Sequence, residues 1–299
     1  MARRVGRPAA RNLPNWPAGN RRMGRTRIGR IAMDALGVYL YCFTRRGAVR
    51  EIKAAGVDEH GTVTTLEADE AAAVFSTVSL SEFAGDAAPD GAQDPQWLIP
   101  RACRHQQVVE EVMRAGPVLP VRFGTIFSSG KILERFLAEK SGEVARILDR
   151  LSDKEEWAVK GFVDLDRAKE WLMVSDPVLA EHRRRLPDAP GARYFQQKRL
   201  DAKTEEAVRL WRRGVVSQVQ ALLAPHAVDA CPLRPQPRNL TGRDAEMVFN
   251  AAYLLLRSDI DTFREQVARV GATYAEQGLT LEVSGPWPSY NFCPPLGED

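Results

Sequence analysis

Apolar and polar positions alternate in a series of short segments along the chain, and this period of two is typical of β-strands that bury one face. The first segment, residues 37–44, is also rich in β-branched and aromatic residues, which favour strands. Another contains Pro120, and because proline cannot donate a backbone hydrogen bond, that strand is expected at a sheet edge or a bulge. Strands are predicted over residues 37–44, 62–66, 72–78, 118–123, 156–163, 228–233, 247–256 and 279–284.

The segments between these strands repeat apolar residues every three or four positions, as amphipathic helices do. In the first long one the stripe runs from Leu98 to Val112, and Gly116-Pro117 ends the helix. A polar loop over residues 86–95 precedes it. Helices are predicted over residues 95–115, 129–151, 194–223 and 259–277.

From residue 156 onward the predicted elements follow the order β-α-β-β-α-β, which is the pattern of a ferredoxin-like domain. The expected fold class is therefore α+β, with an N-terminal α+β domain, a C-terminal ferredoxin-like domain and an extended C-terminal tail. The predicted boundaries are an arginine-rich extension without fixed structure over residues 1–34, the first domain over 35–150, the second over 151–284 and the tail over 285–299.

Charge is distributed unevenly along the 299 residues, which are otherwise ordinary for a globular protein at 44% hydrophobic and 27% charged. Residues 1–33 hold nine arginines and no acidic residue. Removing these nine from the 42 lysines and arginines leaves 33 basic residues against 39 acidic ones, so the rest carries −6 although the whole carries +3. The basic head shows no hydrophobic periodicity and is expected to be disordered.

Two interpretations of this head stay open. As an arginine-rich arm, it would bind nucleic acid or an acidic surface. As a non-functional extension it would do neither, and Met33, directly before the first strand, would be the natural start. The second interpretation is favoured because disordered basic termini often have no specific role.

The sequence favours a cytoplasmic protein without a cofactor. Its four cysteines, at positions 42, 103, 231 and 293, are widely spaced and form no CxxC motif, so reduced thiols are expected instead of disulfides or a zinc site. No run approaches 18 apolar residues, so no membrane span is predicted.

No pattern of catalytic residues stands out. Cys103 and His105 are two positions apart on a predicted helix, so they point to different sides and cannot act as nucleophile and base. The other three histidines lie in separate polar or loop contexts, and the sequence contains no HExxH, GxSxG or phosphate-loop motif. The chain is therefore expected not to be an enzyme.

Basic residues in the body of the chain fall into two kinds. Those over residues 183–199 form a cluster, but acidic residues follow at 205 and 206, so a solvated helix face is favoured over an anion-binding site. Arg122 and Lys160 each lie within an otherwise apolar strand, where a buried cation needs a carboxylate or carbonyl partner. A structural ion pair and a contact with a partner both remain open for these two.

The most unusual segment is the tail from Gly285 to Phe292. Two prolines flank Trp287, so the chain is expected to leave the sheet after Ser284 as a stiff, aromatic-rich extension. Its aromatic side chains can each bury about 150–250 Å². Either the tail is clamped onto its own protein, including the groove between the two domains, or it is offered to a partner.

Several of these segments, in this order, resemble the GvpL/GvpF family of gas vesicle proteins, over about residues 37–292. Ser289 departs from the family pattern, which usually has a second proline there, so the tail is expected to be slightly less stiff. The segments that carry the resemblance are Val38-Tyr39-Leu40-Tyr41, His105 with Val108-Val109, Gly116 to Thr125, Glu156 to Lys160, Tyr194-Phe195 with Lys198, Asn250 to Leu254, and Gly285 to Phe292.

The resemblance implies a non-catalytic accessory or minor structural protein of gas vesicles, the gas-filled protein shells that give cells buoyancy. Its implied partners are the very hydrophobic main shell protein, whose nucleation or assembly it would assist, and other gas vesicle accessory proteins. Such a role requires exposed apolar or aromatic surface. The residues predicted to bind a partner or to lie at a domain interface are Pro120, Arg122, Phe123, Trp157, Lys160, Tyr253, Trp287, Pro288, Tyr290 and Phe292.

A function of another class remains as the alternative. The arginines between Arg3 and Arg30 would make the chain a nucleic-acid-binding regulator, with binding that weakens steeply as salt rises.

Overall fold

The computed structural model describes residues 36–84, 94–294 and 296, and these form helices and two antiparallel sheets. The predicted arginine-rich extension and nearly all of the predicted loop over residues 86–95 lie outside the described residues. The strands are β1 Leu36–Arg45, β2 Thr64–Ala68, β3 Ala71–Ser79, β4 Val118–Pro120, β5 Ile126–Phe127, β6 Lys154–Val163, β7 Asp229–Pro232, β8 Glu246–Leu256 and β9 Leu279–Trp287. The helices are α1 Leu80–Ala84, α2 Pro95–Ala115, α3 Gly130–Leu151, α4 Leu165–Ser175, α5 Pro177–Arg184, α6 Pro190–Leu223, α7 Arg238–Thr241 and α8 Ile260–Tyr274.

Contacts between residues divide the chain into two compact units. Unit 1 comprises the chain up to Asp153 together with the residues from Pro288 onward. Unit 2 is the continuous segment Lys154–Trp287. The C-terminal residues therefore belong to the same compact unit as the first sheet.

The sheet of unit 1 has the order β2-β3-β1-β4, and β5 also pairs with β1. β1 is central and eight of its ten residues, 37–44, are buried, so both of its faces are covered. On one face, Tyr39 and Tyr41 pack in a core cluster with the valines of α2. Elsewhere on the strand, the Phe43 ring lies 6.2 Å from that of Phe136 on α3.

The ends of α2 agree with the sequence prediction for physical reasons that are visible locally. Asp94 caps the helix by accepting a hydrogen bond from the backbone N–H of Gln96 at 2.9 Å. Pro95 occupies the first helical position, where a missing N–H costs nothing. The buried stripe of Val108, Val109 and Val112 then holds the helix against the sheet.

Pro120 confirms the prediction of an edge position, because β4 lies at the end of the sheet and pairs with β1 alone. The strand itself is shorter than predicted. It ends at Pro120 instead of residue 123, since the chain turns at Gly124, which has a left-handed φ of 83°.

The sheet of unit 2 has the order β7-β8-β6-β9, with every neighbouring pair antiparallel. Its core brings the inner faces of β6, β8 and β9 against α6 and α8. The buried members of this core include Val159, Val219, Tyr253, Phe263 and Val267.

β9 continues three residues beyond the predicted end at Ser284. Pro286 does not break β9 because this is an edge strand, and the pairing with β6 shifts register between Ala158 and Glu156. The second proline, Pro288, follows the last residue of the strand. The predicted departure from the sheet at Gly285 was therefore wrong, and the chain leaves after Trp287.

Candidate partner-binding surfaces

The C-terminal segment is buried against unit 1. Phe292 is only 5% exposed, and Pro288 and Ser289 are also buried. The guanidinium of Arg150, at the end of α3, donates a hydrogen bond to the backbone carbonyl of Phe292 at 2.6 Å. These three residues are thus held within their own unit, with little surface left for a partner.

Tyr290 anchors this segment to a buried hydrogen-bond network centred on His105 of α2. Its hydroxyl oxygen lies 3.2 Å from His105 Nε2, and Tyr39 Oη lies 2.9 Å from His105 Nδ1. Because Tyr39 accepts a hydrogen bond from the backbone N–H of Gly124 at 3.1 Å, we assign its proton to the bond with Nδ1. The imidazole then carries its proton on Nε2 and donates it to Tyr290, which donates in turn to Gln106.

Burial keeps the imidazole at the centre of this network neutral. His105 has no exposed surface, and burial lowers its pKa from 6.5 to about 3, although a hydrogen bond with the Val121 backbone partly opposes the shift. Burial also raises the pKa of Tyr39 and of Tyr290 well above the ordinary value. All three groups are uncharged at neutral pH, so they fasten the segment by neutral hydrogen bonds.

The segment Pro120 to Gly124 supports the same network. The Phe123 ring contacts the rings of Tyr39 and His105 edge-on, with centroids 6.0 and 5.9 Å away. Pro120 is buried in β4. Arg122 points to solvent, and no ion pair involves it within the described part of the chain, so the structural ion pair considered for a buried Arg122 does not form there.

In unit 2, Trp157 lies on β6 and Trp287 on the neighbouring edge strand β9. Trp287 lies opposite Glu156 in the β6–β9 pairing. Its indole N–H donates a hydrogen bond to Ser284 Oγ at 3.2 Å. The backbone of Gly285 presses against Trp157, because a Cβ added there would lie 2.8 Å from the indole ring. Both tryptophans are half-buried, so each keeps some accessible surface.

Lys160 sits opposite Glu282 across the β6–β9 pair. Burial lowers the pKa of Lys160, the charge of Glu282 opposes that shift, and the nearby Arg243 adds to it. The guanidinium of Arg243 also lies 4.4 Å from the centre of the Phe162 ring and pairs with Glu282. This favours the structural interpretation of Lys160, which shares one carboxylate with a second cation.

Tyr253 was predicted to contact a partner or a domain interface, but it lies in the core of unit 2. It is 0% exposed and its ring packs at a tilt against that of Phe263 of α8, with centroids 5.0 Å apart, so it cannot touch a partner of the folded protein. The sequence placed it within an apolar run, and β8 buries both of its faces.

One exposed surface was missed among the predicted contact residues. Tyr194 and Phe195, in the first turns of α6, are 56% and 69% exposed. The cluster over residues 183–199 surrounds them, and its arginines and lysine are solvent-exposed as predicted. Two adjacent aromatic residues ahead of the first buried helix position were the signal that could have identified this surface.

Cys103 and His105 do not come together in the structure, and the described residues form no metal-ligand cluster. Cys103 is exposed whereas His105 is buried, which confirms that they face different sides of α2. Within the described ranges, no three His, Cys, Asp or Glu side chains are grouped so as to hold a metal ion. Nor does any helix there have the length and apolarity needed to cross a membrane.

Comparisons with known proteins agree with one another. The profile of the family described as "Gas vesicle synthesis protein GvpL/GvpF" matches residues 37–294. Gas vesicle protein L of a Streptomyces species is 30% identical over 231 residues, which are 76% of this chain and 81% of the relative. Gas vesicle protein L2 of Halobacterium salinarum is 26% identical over 275 residues, covering 88% of this chain and 93% of that protein.

Two solved structures share the fold. The crystal structure of gas vesicle protein GvpF from an Anabaena species superposes with a TM-score of 0.65 at 19% identity, covering 86% of this chain and 98% of the other. That of GvpF from Microcystis aeruginosa gives a TM-score of 0.57 at 20% identity, with 86% and 99% covered. On the profile match and the sequence relatives together, the chain belongs to the GvpL/GvpF family of gas vesicle proteins.

Proposed function

We propose that this protein is a non-catalytic accessory or minor structural component of gas vesicles that binds the main shell protein and assists nucleation or assembly of the shell. The observation that carries the proposal is the family match over residues 37–294, which spans unit 2 and nearly all described residues of unit 1. Other gas vesicle accessory proteins are proposed as further partners, and the cytoplasm as the place of assembly.

Exposed apolar side chains support a binding role. A very hydrophobic shell subunit needs a partner that covers its apolar surface before assembly, and such contacts use apolar and aromatic residues. Unit 2 has several large hydrophobic side chains that are more than half exposed: Val174, Val178, Tyr194, Phe195, Leu210, Val228 and Leu240. Unit 1, in contrast, has buried the aromatic residues of the C-terminal segment.

The burial pattern narrows the proposed contact residues. Of the ten predicted, Arg122 is exposed, and Phe123, Trp157, Lys160, Trp287 and Tyr290 keep partial exposure. Because Phe123 and Tyr290 already contact His105 within unit 1, the other four remain the proposed contact residues. Tyr253 and the buried residues of the C-terminal segment instead stabilise their own units.

We also propose that unit 2 is a ferredoxin-like domain. Its strands follow the chain order β6, β7, β8, β9, with the helices α4 to α6 inserted after the first strand and α8 before the last. The sheet order β7-β8-β6-β9 places the first and third of these strands at the centre. The domain limits 35–150 and 151–284 remain proposals as well.

The alternative of nucleic-acid binding is not favoured. Its proposed residues, Arg3 to Arg30, lie outside the described part of the chain, and the family match begins only at residue 37. The same match accounts for the remainder of the chain without a nucleic-acid role.

A binding experiment tests the proposed function. The full chain, carrying an affinity tag, is co-expressed with the main gas vesicle shell protein, and both the captured complex and the soluble fraction are quantified. We expect the shell protein to be retained with the full chain and to be more soluble in its presence. A tagged soluble protein of similar size and charge serves as the control.

Genetic deletion tests the second part of the proposal. In a vesicle-forming host that has no second GvpL/GvpF gene, loss of this gene should reduce the number of vesicles seen by electron microscopy. Normal vesicles in that host, together with no retention of the shell protein, would overturn the proposal.

A further inference from the structure

The first ten residues of α6, positions 190–199, extend beyond the part of the helix that packs in unit 2. All ten are exposed, and the buried stripe starts only at Leu200, which packs with Leu172 of α4 and Leu179 of α5. From there the stripe continues at spacings of four or seven residues to Leu223. These ten residues, about three helical turns, therefore have no packing surface within the described part of unit 2.

Nothing local explains two large aromatic residues in these turns. Ala189 stands at the N-cap position and provides no side-chain hydrogen bond, so Pro190 at the first helical position is the local signal that starts the helix. Tyr194 and Phe195 contact each other edge-to-face, with ring centroids 5.7 Å apart and an angle of 74° between the planes. Adjacent aromatic residues with most of their surface in water are typical of the energetic centre of a protein interface.

The surroundings of this aromatic pair are strongly basic. Residues 183–199 contain six arginines and lysines and a single acidic residue, Asp188. Glu181 pairs with Arg184 and Arg185, whereas Arg193 and Arg199 form no ion pair with any described residue. This excess of positive charge fits an acidic partner.

The ring contacts favour a protein segment over nucleic acid. Single-stranded nucleic acid would bind by stacking its bases on open aromatic faces. Here the Lys198 ammonium lies 4.9 Å from the centre of the Tyr194 ring, so it covers one face of that ring. Phe195 contacts the same ring edge-to-face. The apolar surface that the two rings leave exposed suits an apolar protein side chain.

We propose that residues 183–199, which we call the α5–α6 tip, bind an acidic segment of the main shell protein that also carries an apolar side chain. The apolar side chain packs on Phe195 and Tyr194, and its acidic neighbours pair with Arg193 and Arg199. This inference rests on the proposed function and specifies which surface performs it.

The test immobilises the main shell protein on a sensor surface and measures its affinity for the full chain at two salt concentrations. The double variant Tyr194→Ala/Phe195→Ala should weaken binding by about tenfold or more, as loss of a hot spot does. The charge variant Arg193→Glu/Arg199→Glu should weaken binding and reduce its dependence on salt. Leu222→Ala, at a 42% exposed position near the other end of the same helix, is the matched control and should stay within about twofold.

The outcomes separate the two proposals. If both tip variants bind the shell protein as tightly as the wild type does, the inference is overturned and the proposed function is not affected. Failure of the wild type to bind the shell protein overturns the proposed function and the inference with it. Tip-dependent binding to a DNA oligonucleotide, with tip-independent binding to the shell protein, also overturns the inference. Unchanged melting temperatures show that the variants are folded.

Discussion

Two aromatic regions of this protein have opposite surroundings. Tyr290 and Phe292 follow the last strand and are held against unit 1, where the hydroxyl of Tyr290 meets a buried histidine. Tyr194 and Phe195 begin the longest described helix and have more than half of their surface in water. Both pairs look alike in sequence, as aromatic residues near prolines and polar residues.

The difference shows that aromatic content does not identify a binding surface. An aromatic side chain favours burial through its large apolar area, and its own domain satisfies that preference wherever a complementary groove exists. In unit 1 the groove is present and has a hydrogen-bond partner for the Tyr290 hydroxyl. At the α5–α6 tip the described part of unit 2 offers no such groove, so only a partner could bury the Tyr194 and Phe195 rings.

The largest expected effect comes from removing the buried phenyl ring of the C-terminal segment. Phe292→Ala should lower the free energy of unfolding of unit 1 by about 3–5 kcal/mol, because it leaves a cavity at a position only 5% exposed. Urea unfolding followed by tryptophan fluorescence measures this loss. A change below about 1 kcal/mol would show that the segment is not held as described.

Replacing the centre of the network should have the next largest effect. His105→Phe keeps an aromatic ring but removes both nitrogens, so the hydroxyls of Tyr39 and Tyr290 lose their common partner. We expect a loss of roughly 2–4 kcal/mol in the free energy of unfolding. If His105→Phe were as stable as the wild type, the hydrogen bonds of the network would contribute nothing.

The same histidine makes the stability of unit 1 depend on pH. Its pKa is about 3 in the folded protein and near 6.5 when unfolded, so between these values the unfolded chain binds more protons. The stabilisation is complete above about pH 6.5 and is lost as the pH falls, by about 2 kcal/mol at pH 5.

Urea titrations of the wild type and of His105→Gln at pH 7, 6 and 5 isolate this contribution. Carboxylates titrate in both proteins, whereas the imidazole titrates only in the wild type. The variant should therefore lose less stability than the wild type as the pH falls. Parallel losses in the two proteins would contradict a neutral, buried His105.

A smaller effect is expected from removing one hydroxyl of the network. Tyr290→Phe keeps the ring and leaves the Nε2 proton of His105 and the amide of Gln106 with one partner fewer. The free energy of unfolding should fall by about 1 kcal/mol. Hydrogen exchange of the backbone amides near residues 290–292 should accelerate in parallel, and unchanged exchange would argue against the anchor.

The smallest effect on stability is expected at the exposed aromatic pair of the α5–α6 tip. Phe195→Ala should change the free energy of unfolding by less than about 0.5 kcal/mol, because its ring is 69% exposed. A loss as large as that of Phe292→Ala would mean that the ring packs within its own protein. In that case the α5–α6 tip would not be a free surface.

Much of the secondary structure could be predicted from local pattern. α2 was predicted over the range it occupies because an apolar stripe at helical spacing and a terminal Gly-Pro pair are both local signals. The end of β9 was missed because strand pairing across a bulge depends on the neighbouring strand, which local sequence does not show. For β1, the sequence predicted that buried and exposed residues alternate, whereas residues 37–44 are all buried. The reason is that both faces of this strand are covered.

The candidate site was harder to predict for a related reason. Trp157 and Trp287 were predicted as contact residues from segments that carry the family resemblance, yet Tyr253 was included with them although it belongs to the core. Exposure is a property of what packs on a residue, and that depends on segments far apart in the chain. The exposed pair at the α5–α6 tip was overlooked because a helical pattern alone does not reveal where packing stops.

The sequence by itself determined the family, the order of most strands and helices, and the edge position of the strand that contains Pro120. These follow from local propensities, capping residues and proline's missing donor, which act over a few residues. The tertiary structure alone decided that the C-terminal aromatic residues are buried and that Tyr194 and Phe195 are not. The reason is physical: burial removes apolar surface from water only where distant segments provide a matching groove and hydrogen-bond partners.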